Sequence, residues 1–118
     1  MKRDPRAFLS DVIEAGNAIQ QAVAGINLDD YCNNRLIRSS IEREFTIIGE
    51  ALNQLSQRDE GRFAQIDQAP QIISFRNKLT HEYAIINDRL VWGVIQNNLP
   101  ALLKQCNQLL SDIEGETS

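Results

Sequence analysis

Apolar residues recur every three or four positions along most of this chain, the spacing that lines one face of a helix. The first run is Leu9, Val12, Gly16, Ile19, Val23 and Ile26. Asp4 stands before it as a cap, and Pro5 takes the first helical position, where a missing N–H costs nothing. Gly25 predicts its end. Gly16 weakens the helix but admits a close neighbour. Residues 28–34 are polar and mixed and predict a loop or a single short turn. A second long helix is predicted from Asn34 to Ser56 on Ile37, Ile41, Phe45, Ile48, Leu52 and Leu55. A polar connection over 57–69 contains Gly61, and a shorter third helix over 70–80 carries Ile72, Ile73, Phe75 and Leu79. Residues 83–87 read as a loop. Asp88 predicts the cap of a last helix running from Leu90 to Ile113. Its apolar spacing stays in phase across Pro100, so a kink is expected there more than a break. Residues 115–118 are expected to fray. Alternating strand patterns are absent, and the chain predicts an all-α bundle of four or five helices.

Several positions look apolar on two sides: Ile47 with Ile48, Val91 with Trp92, Leu102 with Leu103, Leu109 with Leu110. A small bundle with stripes this broad is expected to bury the surplus against a second copy, which predicts a homodimer. The 118 residues suffice for one domain and leave no room for a second. No apolar run approaches the roughly 18 residues of a membrane span. The start of the chain has no apolar stretch of the secretory kind, so a soluble cytoplasmic protein without membrane contact is expected.

Charge narrows the chemistry. With 12 basic and 16 acidic residues the net charge is −4. A broad electrostatic grip on nucleic acid is therefore excluded, and any polyanion must be held by a local patch. Cys32 and Cys106 are far apart, in no metal-ligand spacing, and are expected to be buried as small apolar thiols. With one histidine and two separated cysteines no metal site is expected, and no cofactor is implied.

That histidine, His81, is the one side chain whose ordinary pKa suits proton transfer near neutrality. It ends the segment Arg76-Asn77-Lys78-Leu79-Thr80-His81, which is basic with no acid until Glu82. Asn77 and His81 are four apart and share a helical face. Arg76 and His81 are five apart, about 140° around an ideal helix, and would flank a common cleft. The helix C-terminus favours a protonated imidazole. An arginine fork grips phosphate oxygens and stabilises the charge that grows in phosphoryl transfer. Each residue alone has a plainer reading. A single histidine at a helix end suits capping or solvent, Arg76 and Lys78 suit a solvated face, Tyr83 suits partial packing, and Glu50 suits an exposed or half-buried carboxylate.

Taken together, Arg76, four residues, His81, one residue and Tyr83 form a pattern that resembles the signature of HepT-like toxins in the HEPN superfamily. The resemblance extends to Arg3-Asp4-Pro5-Arg6, Ile47-Ile48-Gly49-Glu50-Ala51, Val91-Trp92 and Leu99-Pro100, and so covers nearly the whole chain. It implies a single HEPN-like domain over 1–118, a helical homodimer and a metal-independent ribonuclease. It implies a cognate MntA-like nucleotidyltransferase as antitoxin, with RNA (tRNA or mRNA) as substrate. Arg76 and His81 match the catalytic residues, Asn77 the polar residue that often follows the arginine, and Tyr83 the tyrosine that the antitoxin modifies with AMP in some members. Glu82 and Thr80 depart from the Gly and Ile common at those positions.

Cleavage through the RNA 2′-hydroxyl needs a base and an acid, and one chain supplies one histidine. A dimer with the motif helix near its axis supplies two, with an Arg76 pair for the phosphate and Asn77 and Lys78 in support. AMP on Tyr83 would compete with RNA for Arg76 and Lys78. The competing expectation is a non-catalytic subunit of a nucleotidyltransferase that binds nucleotide or RNA, and a third is a purely structural helical dimer.

Overall fold

The computed structural model describes residues 4–81 and 87–116, with the backbone alone at His81. Among the described residues there are seven helices and no strand. Helix α1, Pro5–Val23, begins where Asp4 accepts a hydrogen bond from the Arg6 N–H at 2.9 Å. It stops before Gly25, whose φ of 79° is open to glycine at little cost. A single turn, α2 (Leu28–Cys32), is closed by a reciprocal cap between Asn27 and Asp30. Helix α3, Arg35–Arg58, is the long central rod, capped by Asn34 on the Ile37 N–H at 3.0 Å.

The expected polar connection contains one further turn, α4 (Glu60–Phe63), started by Asp59. Helix α5, Ala69–His81, carries the arginine motif. The last predicted helix is two helices. Helix α6, Asp88–Asn97, is capped by Asn87, which accepts from the Arg89 and Leu90 N–H groups. Asp88 is instead the first helical residue and pairs with Arg38 of α3 at 3.1 Å. The chain breaks at Asn98, and α7 runs Leu99–Glu116. Pro100 is the second residue of α7, where a proline needs no intrahelical partner, so a fresh start costs less than a kinked continuation. The expected fray at Gly115 and Glu116 is replaced by helix, held where Arg62 meets Glu116 at 2.7 Å.

Helix α3 lies between α1 on one side and α5 on the other, while α7 packs on α1 and continues from α6. Leu9, Ile19, Ile41, Phe45, Leu52 and Leu102 are fully buried, each contributing about 1.5–3 kcal/mol. Phe45 of α3 meets Phe75 of α5 edge to face, with centroids 5.0 Å apart. At Gly16 the Leu103 side chain occupies the space a Cβ would take, which is the close approach that glycine predicts. Much of the apparent apolar surplus is absorbed inside the chain. Leu103 is buried, Trp92 stacks at a tilt on the buried Tyr31, and Leu110 is half-buried against the core. Among the described residues Leu36, Leu90 and Ile47 remain as exposed large apolar side chains. Cys106 is buried, Cys32 is half-buried, and both are free thiols. Burial alone pushes the Cys106 thiol up to about 12.

Candidate active site

Helix α5 sends its motif residues to different neighbours. Arg76 turns toward α3, where its side chain is only 15% exposed. Lys78, two residues on and so about 200° around the helix, is exposed on the other side. There it borders a groove of about 420 Å³ between α5 and α6, with Ser74, Phe75, Leu90 and Val94. Asn77 is exposed. His81 is the last residue of α5, at a register position between those of Asn77 and Lys78. The Thr80 hydroxyl donates back to the carbonyls of Arg76 and Asn77, at 3.2 and 3.1 Å, and so helps close the last turn. Tyr83, the expected modification site, lies outside the described residues, as do Glu82 and most of the predicted loop.

The seat of Arg76 is built by α3. A Cβ on residue 49 would lie 2.5–2.7 Å from the Cγ, Cβ and Nε atoms of Arg76, so the arginine's stem rests where Gly49 has no side chain. The guanidinium Nη2 is 3.8 Å from a Glu50 carboxylate oxygen, close enough for attraction and too far for a hydrogen bond. Glu50 itself is 61% exposed, and its other oxygen accepts from Gln54 at 3.4 Å. Arg76 Nε is buried and has no hydrogen-bond partner among the described residues. A buried guanidinium donor without an acceptor is uncommon and costly, and among the described residues it is packing over Gly49, not a hydrogen bond, that seats Nε.

Sequence reasoning placed Arg76, Asn77 and Lys78 on one short basic helix, and the structure separates Arg76 from Lys78. It also adds Gly49, which sequence reasoning had not set beside the motif. A glycine inside a strong apolar helix was the available signal, since such a residue costs about 1 kcal/mol relative to alanine and calls for a packing reason. Among the described residues no three histidine, cysteine or acidic side chains converge as a metal site. No described helix is long and apolar enough to cross a membrane.

The chain is similar to known proteins over most of its length. The sequence model of the family described as "Ribonuclease HepT-like" matches residues 12–109. Two proteins of Methanocaldococcus jannaschii whose names describe RNases are similar to this chain. One is 29% identical over 115 residues, covering 98% of this chain and 94% of the relative. The other is 30% identical over 104 residues, covering 88% and 94%. A protein of Thermococcus cleftensis whose name describes a ribonuclease HepT is 26% identical over 102 residues, covering 86% and 92%. No solved structure matches significantly.

Proposed function

Because this chain belongs to the ribonuclease HepT-like family, we propose that it is the ribonuclease of a toxin–antitoxin pair and cuts RNA without a metal, with Arg76 and His81 as its catalytic residues. The RNA-cleaving activity follows from the family. The residue roles rest on the observation that Arg76 is held against α3 with its stem over Gly49 and with a buried donor that has no acceptor among the described residues. The outer guanidinium nitrogens, beyond the buried Nε, meet a phosphate oxygen, and their charge is most useful when negative charge builds on the phosphoryl group.

The chemistry divides between two chains. His81 takes the proton of a 2′-hydroxyl as that oxygen bonds to phosphorus. The bond from phosphorus to the 5′-oxygen breaks, and the partner's His81, or a water, returns a proton to the leaving oxygen. The products are a 2′,3′-cyclic phosphate and a free 5′-hydroxyl. Arg76 from each chain faces the pentacoordinate phosphate, and Asn77 supports the strand. This requires a homodimer whose two α5 helices meet near the axis. Lys78, on the far side of α5 from Arg76, attracts the RNA as it approaches. The antitoxin is a nucleotidyltransferase that attaches AMP to Tyr83, adding negative charge beside the same cleft.

The test is incubation of the purified chain, without a partner, with tRNA and mRNA in EDTA, beside His81→Ala, with the intact mass recorded from the same sample. Cleavage by the parent alone supports the reading. Absence of cleavage at the unmodified mass assigns the chain to the competing role, a nucleotide- or RNA-binding subunit. Absence of cleavage with added AMP mass identifies the silenced form and supports the role of the antitoxin.

A further inference from the structure

We propose that Gly49 and Glu50 of α3 are positioning residues for Arg76, the glycine opening the slot in which the arginine's stem lies and the carboxylate setting the heading of its guanidinium. The proposal rests on the reading that Arg76 acts in RNA cleavage. Its basis is that the motif helix does not orient its own arginine. An arginine on a helix surface has several rotamers open to it, and a catalytic charge must hold one of them. Here the choice is made across the helix pair. The stem and Nε of Arg76 lie over the one position of α3 that carries no side chain, 2.5–2.7 Å from where a Cβ would sit. No alanine fits there unless the arginine moves.

Glu50 follows Gly49 and stands at the other end of the same side chain. At 3.8 Å it attracts the guanidinium without closing a hydrogen bond. A closed two-bond pair would consume the donors that a phosphate needs. The open spacing leaves them free, and the buried Nε still lacks an acceptor among the described residues. Glu50 is 61% exposed, so it can shift as an anion enters without disturbing the core. The two adjacent residues therefore give the charge a fixed root and a loosely guided head.

The experiment is steady-state cleavage of a single-stranded RNA oligonucleotide in EDTA by the parent, Arg76→Ala, Gly49→Ala, Glu50→Ala and Glu50→Asp, with a melting curve for each. Gly49→Ala is expected to lower kcat by about 10- to 100-fold with KM nearly unchanged, because it displaces the charge without removing it. Glu50→Ala is expected to lower kcat by up to about fivefold, the range of an exposed ion pair. Glu50→Asp, which keeps the charge on a shorter arm, recovers part of that loss. An effect through Arg76 also predicts that neither α3 substitution lowers activity further in the Arg76→Ala background. Should Gly49→Ala not fold, the comparison of Glu50→Ala with Glu50→Asp decides, since an exposed position leaves the core intact. Parental kcat in folded Gly49→Ala, or in Glu50→Ala, alongside an inactive Arg76→Ala, overturns the positioning role and leaves the catalytic reading standing. Parental activity in Arg76→Ala overturns the catalytic reading itself.

Discussion

Arg62 and Arg76, like Arg38, reach from one helix to another, and these two are satisfied in opposite ways. Arg62, in the α4 turn, reaches Asp59 at 2.6 Å and Glu116 at the end of α7 at 2.7 Å. Its own N–H is accepted by the same Asp59. Arg76 is the less exposed of the two, 15% against 29%, yet among the described residues its ion-pair partner stands 3.8 Å away and its Nε has no acceptor. Burial ordinarily demands more pairing, not less. The arginine that only builds has its donors filled by the chain. The one on the motif helix is kept in place by shape, with donors left over. The difference separates a charge closed by ion pairs from one held by packing better than the count of charges on either helix does.

The largest expected effect falls on the open arginine. Arg76→Ala should lower RNA cleavage by about 100-fold or more while the melting temperature falls modestly, from the packing of the stem over Gly49 that is lost. Cleavage assays and a melt on the same preparation check both halves. Next is a stability cycle that tests the shape argument without RNA. Gly49→Ala should cost about 1–3 kcal/mol in the parent, from the collision with the arginine stem. In the Arg76→Ala background the same change should be neutral or stabilising by up to about 1 kcal/mol, as alanine is the better helix former. Denaturant unfolding of the four proteins gives the coupling. Equal costs in both backgrounds would show that the stem is not what Gly49 accommodates.

The closed arginine should behave in reverse. Arg62→Ala should cost about 1 kcal/mol or less, since the pair is partly solvated, with cleavage unchanged. Its signature is in acid. Burial pushes the Asp59 carboxyl up, but the side-chain and backbone hydrogen bonds from Arg62 overcome this and hold it below its ordinary value. A group lowered in the folded state adds stability above its unfolded pKa and loses it as pH falls through the folded one. The parent should therefore lose this share of stability as pH falls below the ordinary aspartate value, and Arg62→Ala should lose less. Thermal melts across that range decide. The smallest effect has the opposite sign. Burial, then the neighbouring Asp88, raises the Glu42 carboxyl, so its ionisation opposes folding at neutral pH. Glu42→Gln should melt slightly higher than the parent at neutral pH, and the difference should fade as pH falls toward the ordinary glutamate value.

Much of the architecture was legible because it is local. The Asp4 cap with Pro5, the stop at Gly25 and the long α3 from its Asn34 cap follow from spacing within a few residues. The misreadings share one cause. The in-phase apolar spacing around Pro100 described two helices as well as one, and periodicity does not report where the backbone turns. Asp88 is of a type that suits a cap, but Asn87 caps α6 and Asp88 is drawn to Arg38 across the bundle. The extra apolar positions look like surplus in one dimension because a sequence does not say that Trp92 has Tyr31 to lie against.

An all-helical chain, the family resemblance and the short segment where arginine and histidine stand five residues apart are all written in the order of the residues. All of these depend on residue type and spacing, which the chain carries in one dimension. Tertiary structure alone decided that α5 parts Arg76 from Lys78 between two different neighbours. It alone placed Gly49 under the arginine and left Glu50 just beyond hydrogen-bond reach. Those relations depend on how closely α3 and α5 approach, and that distance is set by the whole core between them, by Phe45 on Phe75 as much as by the motif.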